Sequence, residues 1–280
     1  MKFKYLILAL VLAGFLLIYL LFPEKNKIEK TGSELVGEYD IILVIGQSNT
    51  HQGIGLDRQL DMPSNNIKQL GRFGWNNYKI IPATEPLEHV SSLPGCIGFA
   101  LTFAKEFEKE FLKQGRKVLI IPAGMGSTGF LNNCWNPGDT LYRDAVARTN
   151  FVLDNCNSKL VAILWHQGEN DIENPDFQKR LDTMIVNMRK DIHCDNKKVP
   201  FVLGGLVPYW TNQDNSRIRL NTIIANTVRR VEYTGFADPT KPDVIVKPDN
   251  DFVSIHFDAA GEREMGRRYF SEYCTKSSRR

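Results

Sequence analysis

The sequence predicts an α/β fold, namely a three-layer α/β/α sandwich around a parallel sheet of about five strands. The chain has 280 residues, of which 42% are hydrophobic, and this suits one globular domain with a full core. Unbroken apolar runs, such as residues 39–46, are typical of strands buried on both faces. These runs alternate with segments whose apolar residues recur at helical spacing, as right-handed βαβ crossovers require.

The individual elements follow from apolar pattern and end signals. The first predicted helix ends at Gly115, a natural C-cap, and Asp139 is a plausible N-cap for the second. Pro175 lies near the first turn of the third helix. The predicted strands are residues 39–46, 117–124, 159–168, 199–206 and 242–248. The predicted helices are residues 98–115, 139–155, 175–192, 215–231 and 258–274.

The amino-terminal segment is expected to lie in a membrane. Residues 5–22 are uncharged and apolar over roughly the ~20 residues that a helix needs to span a bilayer, and Lys2 and Lys4 precede them. We therefore expect an N-terminal transmembrane anchor or signal over 1–23, a polar tether over 24–38 and the main domain over 39–280. The main domain would be extracytoplasmic, or secreted if the segment is cleaved. A buried core helix is the alternative interpretation of the segment.

Composition excludes several classes of function. The net charge is +3, and no Lys/Arg run is dense enough for a nucleic-acid surface. The five cysteines form no CxxC pair or Cys/His cluster, so no metal site is predicted. Residues 53–94 have little periodicity and many Asn, Pro and Gly residues, which is typical of a lid or substrate-binding insert.

Four polar clusters follow the predicted strands, at the edge where open α/β sheets bind ligands. They supply a serine, a glycine-rich turn, an amide-rich block and a histidine, which are the parts that acyl transfer needs. Each part alone has an ordinary structural explanation, since a serine at a strand end is usually a cap and a glycine can serve tight packing. The clusters are residues 46–49, 124–128, 166–171 and 254–258.

Four motifs resemble a known family, the sialate O-acetylesterase-type (SASA, carbohydrate esterase family 6) branch of the SGNH hydrolases. The motifs read GQSN, PAGMGSTGF, WHQGEND and HFDAAGEREMGRRY, and the resemblance extends over about 39–273. It implies the flavodoxin-like SGNH hydrolase fold. It also implies a serine esterase that removes O-acetyl groups from a carbohydrate, either sialic acid or an acetylated polysaccharide, without a cofactor.

The resemblance also implies roles for residues. Ser48 would be the nucleophile and His256 the general base, and the backbone N–H groups of Ser48 and Gly126 would hold the oxyanion. A side-chain amide would be the last donor, from Gln167 or from Asn170. Gln47 and Asn49 would brace the turn that presents Ser48.

The acidic residue that would orient His256 departs from the family pattern. Many relatives have an Asp three residues before the catalytic His, and this chain has Val253 there. Glu169 or Asp251 could take the role, or a backbone carbonyl could leave a Ser-His dyad.

Trp75 and Trp135 could offer a sugar-stacking face or pack in the core. Alternative functions are a lipid or thioester hydrolase of the same superfamily and a degenerate glycan-binding protein.

Overall fold

A computed structural model describes residues 37–194, 198–248 and 254–277, all within the unit Leu35–Arg280. The strands are β1 (Glu38–Gly46), β2 (Gly53–Ile54), β3 (Ile67–Leu70), β4 (Ile80–Pro82), β5 (Cys96–Ile97), β6 (Lys117–Pro122), β7 (Asn157–His166), β8 (Phe201–Gly204) and β9 (Thr234–Ala237). The α-helices are α1 (Ala100–Phe111), α2 (Thr140–Asn155), α3 (Phe177–Asp191), α4 (Pro208–Thr211), α5 (Asn215–Ala225) and α6 (Ala259–Ser277).

Seven of these strands form one mixed sheet, in the order β4-β3-β6-β1-β7-β8-β9. Neighbouring strands pair in parallel except at one edge, where β4 runs antiparallel to β3. The α/β class agrees with the prediction, but the parallel sheet of about five strands does not. The two strands β3 and β4 come from the aperiodic segment 53–94, where short strands left no clear pattern in the sequence.

The fifth predicted strand is also wrong. Residues 242–248 form no strand, and Val244 and Val246 in this run are 52% and 73% exposed. The sheet ends instead with β9, whose four residues include Gly235 and form too short a run to predict a strand. Alternating valines therefore indicated a strand where the chain lies on the surface.

Helices cover both faces of the sheet. α1 packs against α6 and β6, and α6 also contacts β8 and β9. α2 packs against α3, β1 and β7, and α3 contacts α5. Between these layers Ile41, Ile42, Leu43, Val44 and Ile45 of β1 are fully buried. Burying each such side chain contributes roughly 1.5–3 kcal/mol, so the central strand is a rigid support for the turn that follows it.

The predicted membrane-spanning helix is contradicted, and the predicted membrane location is corrected with it. No helix within 37–194, 198–248 or 254–277 has the length and apolar character that crossing a membrane requires. The segment on which the prediction rested, residues 1–23, lies outside the described residues, as does most of the predicted tether.

Candidate active site

Ser48 lies in a tight turn directly after β1. Gly46 adopts a φ of +129°, and a methyl group in its place would lie 2.0 Å from the His166 carbonyl oxygen on β7, so glycine is required there. The Gln47 N–H donates to the same oxygen at 2.8 Å, and the Thr50 N–H donates to the Gln47 carbonyl at 2.9 Å. The turn holds Ser48 at the carboxyl edge of the sheet with 5% of its surface exposed.

The turn after β6 lies against the Ser48 turn. The Met125 N–H donates to the Gly46 carbonyl oxygen at 3.0 Å, and a methyl group on Gly126 would lie 3.9 Å from Ser48 Cβ. β6 and β1 are parallel neighbours, so the residues that follow them meet at one edge. The structure thus brings Gly126 next to Ser48.

His256 lies in the loop before α6, and Asn49 holds this loop on both sides of the histidine. Asn49 Nδ2 donates to the Ile255 carbonyl at 3.0 Å, and Asn49 Oδ1 accepts from the Phe257 N–H at 3.1 Å. Tyr209 Oη donates to the His256 carbonyl at 2.6 Å. The residue after the nucleophile therefore fixes the backbone that presents the histidine.

The His256 ring is half-buried, and burial lowers its pKa below the ordinary value. Burial, and then repulsion from His256, lower the pKa of both His51 and His166 to about 3, so both rings stay neutral. No hydrogen bond joins Ser48 Oγ to the His256 ring in the described structure. Such bonds are often long before substrate binds, and a neutral imidazole can accept a proton.

Glu169 is buried beside Asn49 rather than in direct contact with His256. Its Oε1 accepts from Asn49 Nδ2 at 2.5 Å and lies 3.7 Å from His166 Nε2. Burial raises the pKa of Glu169 to about 7, although hydrogen bonds from backbone N–H groups and from Asn49 oppose the shift. The Glu169 carboxylate therefore holds the Asn49 side chain by a hydrogen bond, and Asn49 in turn hydrogen-bonds to the backbone of the His256 loop.

No carboxylate of the described residues forms an ion pair with His256 within 4.0 Å. Asp251, the second acid predicted from sequence, lies outside the described residues, as does Val253. The structure thus places Glu169 near the histidine through one intervening side chain. Whether Glu169, Asp251 or no acid orients the imidazole stays a prediction.

The two predicted amide donors are engaged elsewhere. Gln167 is fully buried, and its Nε2 donates to Asp171 Oδ2 at 2.6 Å and to the Thr128 carbonyl at 3.3 Å. Asn170 is exposed, and its Nδ2 donates to the Ser127 carbonyl at 2.8 Å. Residues 166–171 contact the nucleophile turn in a different way, because Gln47 Oε1 accepts from the Asn170 N–H at 3.3 Å.

Sequence reasoning missed Ser91. Its Oγ accepts from the Gly126 N–H at 3.1 Å and lies 3.0 Å from His51 Nε2. Ser91 belongs to the segment without periodicity, so no sequence pattern distinguished it from other loop serines. Tyr209, which contacts the His256 loop, was also missed, because it lies in the four-residue helix α4, which is too short to leave a periodic pattern.

The two candidate sugar-stacking tryptophans have opposite environments. Trp135 is fully buried and packs edge-on against Trp165, with ring centroids 5.4 Å apart. Trp75 is 89% exposed, and Lys79 Nζ lies 5.5 Å from the centroid of its ring. Trp135 therefore belongs to the core, and only Trp75 presents an open aromatic face.

A serine, a histidine and a glycine turn at the carboxyl edge of an α/β sheet are parts that a carboxylic ester hydrolase uses, and the family of this chain is of that class. The chain belongs to the SASA family, described as carbohydrate esterase, sialic acid-specific acetylesterase, whose profile matches residues 38–275. The resemblance noted from the four motifs is confirmed by this match. The chain is accordingly a carbohydrate esterase by family.

Known proteins with similar sequence or fold agree with this placement. A segment of 118 residues is 29% identical to the probable carbohydrate esterase At4g34215 of Arabidopsis thaliana and spans 40% of this chain and 44% of that relative. The fold resembles NanS, with a TM-score of 0.73, 21% identity and coverage of 87% of this chain and 99% of that one. It also resembles XAC1771, a carbohydrate acetylesterase from Xanthomonas citri, with a TM-score of 0.64, 16% identity and coverage of 86% and 57%.

Proposed function

We propose that the protein is a serine esterase that removes O-acetyl groups from a carbohydrate through an acetyl-enzyme intermediate. The observation that supports it most directly is the pair of hydrogen bonds between the Asn49 side chain and the backbone on either side of His256, one donated to Ile255 and one accepted from Phe257. Through these bonds, the turn that holds Ser48 also positions the residue proposed as its base. The proposal rests on this geometry together with the family membership.

In the first step Ser48 Oγ attacks the acetyl carbonyl carbon, and the His256 imidazole takes the hydroxyl proton. The carbonyl oxygen becomes an oxyanion, to which the N–H groups of Ser48 and Gly126 would donate. The tetrahedral intermediate then collapses, the bond to the sugar oxygen breaks, and the imidazolium returns its proton to the leaving alkoxide. The products of this step are a free sugar hydroxyl and an acetyl-enzyme.

In the second step a water molecule replaces the sugar. His256 takes a proton from the water as it attacks the acetyl carbon, and the Ser48 oxygen leaves with that proton. Acetate is released and the free enzyme is restored. The lowered pKa of His256 keeps its imidazole neutral at pH 7, as a general base requires.

Glu169 acts as a positioning residue in this scheme. Its carboxylate accepts from Asn49 Nδ2 and so fixes which end of the Asn49 amide faces the His256 loop. Asn49 can then donate to Ile255 and accept from Phe257 at the same time. The chain has this relay where many relatives have an Asp three residues before the histidine.

The substrate class is an O-acetylated carbohydrate, either sialic acid or an acetylated polysaccharide. The description of the family names sialic acid, and XAC1771 is described as a carbohydrate acetylesterase. The exposed Trp75 ring offers a flat apolar face on which a sugar ring can stack. The small acyl group suits a site where Ser48 is almost entirely buried.

The proposal is tested by measuring acetate release from O-acetylated sialic acid, from an acetylated polysaccharide and from p-nitrophenyl acetate. Ser48→Ala is expected to abolish release, and Ser271→Ala, on the exposed side of α6, serves as the matched control. A long-chain p-nitrophenyl ester in the same assay separates an acetylesterase from a lipid hydrolase. Equal activity in the wild type and Ser48→Ala would disprove the proposal.

A further inference from the structure

The oxyanion site proposed above has one backbone donor that is already shared. The Gly126 N–H donates to Ser91 Oγ, and Ser91 Oγ also contacts His51 Nε2. Thr50 Oγ1 gives its only proton to the Gln47 carbonyl at 2.7 Å, so in its 2.7 Å contact with His51 Nδ1 the ring nitrogen is the donor.

This chain of bonds decides the direction of the Ser91 hydroxyl. The His51 ring is neutral and carries its proton on Nδ1, so Nε2 is unprotonated and accepts from Ser91 Oγ. Ser91 therefore offers only an oxygen lone pair to the Gly126 N–H. An oxyanion at Ser48 would have to compete with this fixed acceptor for the Gly126 donor.

The side-chain donors predicted from residues 166–171, Gln167 and Asn170, have other acceptors in the structure. Both N–H bonds of the buried Gln167 amide have protein acceptors, on Asp171 and Thr128. One N–H of the exposed Asn170 amide donates to Ser127, which holds this side chain against the residue after Gly126. A side chain with no protein acceptor, close to both Ser48 and Gly126, is better placed to supply an additional donor at the oxyanion position.

Gln52 meets both conditions. Its N–H donates to the Ser48 carbonyl at 2.9 Å, so it directly follows the nucleophile turn. A methyl group placed on Gly126 would lie 2.9 Å from Gln52 Nε2 and 3.9 Å from Ser48 Cβ, so the amide and the nucleophile face the same small space. Gln52 is half-buried, and its side chain has no hydrogen-bond partner among the described residues.

We infer that Gln52 is a catalytic residue that donates an Nε2 N–H to the oxyanion formed when Ser48 attacks an ester. The inference rests on the proposed serine esterase function and adds a donor to it. A neutral amide strengthens its hydrogen bond when the carbonyl oxygen becomes negative, so it stabilises the transition state more than the bound ester. The absence of a methyl group at position 126 leaves the space that the oxygen needs.

The test compares Gln52→Leu and Gln52→Glu with the wild type, using a fluorophosphonate probe and p-nitrophenyl acetate. In labelling, Ser48 Oγ bonds to phosphorus, fluoride leaves, and the phosphoryl oxygen occupies the oxyanion position. Loss of one such donor typically lowers the rate about 10²–10³-fold, and we expect a decrease of that size in labelling rate and in kcat, with KM little changed. Gln178→Leu, at an exposed position of α3, is the matched control.

Gln52→Glu gives a pH dependence of the labelling rate that a purely structural role of Gln52 would not produce. A carboxylate cannot donate, but a protonated carboxyl group can, and the ordinary pKa of Glu is about 4.3. The labelling rate of Gln52→Glu relative to wild type is therefore expected to rise as the pH falls from 7 to 4.5. The Gln52→Leu ratio is expected to stay flat over the same range.

Each outcome decides a different claim. If the wild type and Gln178→Leu label at Ser48 while both Gln52 variants label slowly, the inference is supported. If Gln52→Leu labels at the wild-type rate, or the Gln52→Glu ratio does not change with pH, the inference is overturned and the proposed function stands. If folded wild-type protein does not label at Ser48 at all, the proposed function and the inference both fall.

Discussion

The Asn49 side chain and the Glu169 carboxylate form a hydrogen bond of 2.5 Å that links the nucleophile turn to the block after β7. The same Asn49 amide holds the backbone at Ile255 and Phe257, on either side of His256. Three chain segments that are far apart in sequence therefore meet on one side chain. The geometry of the candidate site depends on this amide.

Replacing Asn49 is expected to impair catalysis and stability together. Asn49→Leu keeps the volume but removes all three hydrogen bonds, which leaves the Phe257 N–H buried without its acceptor and deprives the buried Glu169 of its side-chain donor. We expect kcat to fall at least about 10-fold, and the free energy of unfolding to fall by about 1–3 kcal/mol. Urea unfolding and acetate release measure both effects. Asn187→Ala on α3 is the control, and unchanged kcat in Asn49→Leu would contradict the positioning role.

The buried Glu169 predicts a specific pH dependence of stability. Its pKa is raised to about 7 in the folded protein, above the ordinary value of about 4.3. The folded state therefore binds more protons than the unfolded state between these values, and stability falls as the pH rises through this window. Relative to Glu169→Gln, the wild type should be most stable below about pH 4.3 and lose that contribution by about pH 7. A difference that is constant from pH 4 to 8 in urea unfolding would refute this prediction.

Trp75 is expected to affect binding of the carbohydrate and not the chemical step. Glu88 holds its loop by accepting from the Phe73 N–H at 3.0 Å and from Asn76 Nδ2 at 2.6 Å, so the ring is presented on an ordered turn. Trp75→Ala should raise KM for an acetylated glycan about 5-fold, which corresponds to roughly 1 kcal/mol of stacking. KM for p-nitrophenyl acetate should not change, and Trp75→Phe should recover part of the loss. Equal KM values for the glycan in all three proteins would exclude the stacking role.

Gly46 and Gly138 allow steric crowding to be separated from backbone strain. Both have positive φ, but a methyl group at Gly46 meets the His166 carbonyl at 2.0 Å, whereas one at Gly138 meets nothing within 4 Å. Gly138→Ala should cost about 1–2 kcal/mol, the usual cost of the left-handed region. Gly46→Ala adds a clash between β1 and β7 and should lower the free energy of unfolding by at least about 4 kcal/mol. Similar losses in the two variants would contradict this account.

The sequence by itself determined the α/β class, the first four predicted strands of the sheet and the edge at which the polar clusters meet. Buried strands and amphipathic helices have distinct apolar periods, and the carboxyl ends of neighbouring parallel strands must lie together. Ser48 and Gly126 were therefore expected at one edge before any side chain was placed. The family followed from four motifs, which the match over residues 38–275 confirmed.

Only the tertiary structure decided how the side chains of that edge share their hydrogen bonds. It showed that Gln167 binds Asp171, that Ser91 accepts from Gly126 and that Gln52 lies free beside Ser48. It also showed that the sheet ends with β9 and not with a strand over 242–248, and that no helix of the described residues could cross a membrane. Each donor can bind only the acceptors that packing brings within about 3 Å, and these come from segments distant in the chain, so no local pattern records the pairing.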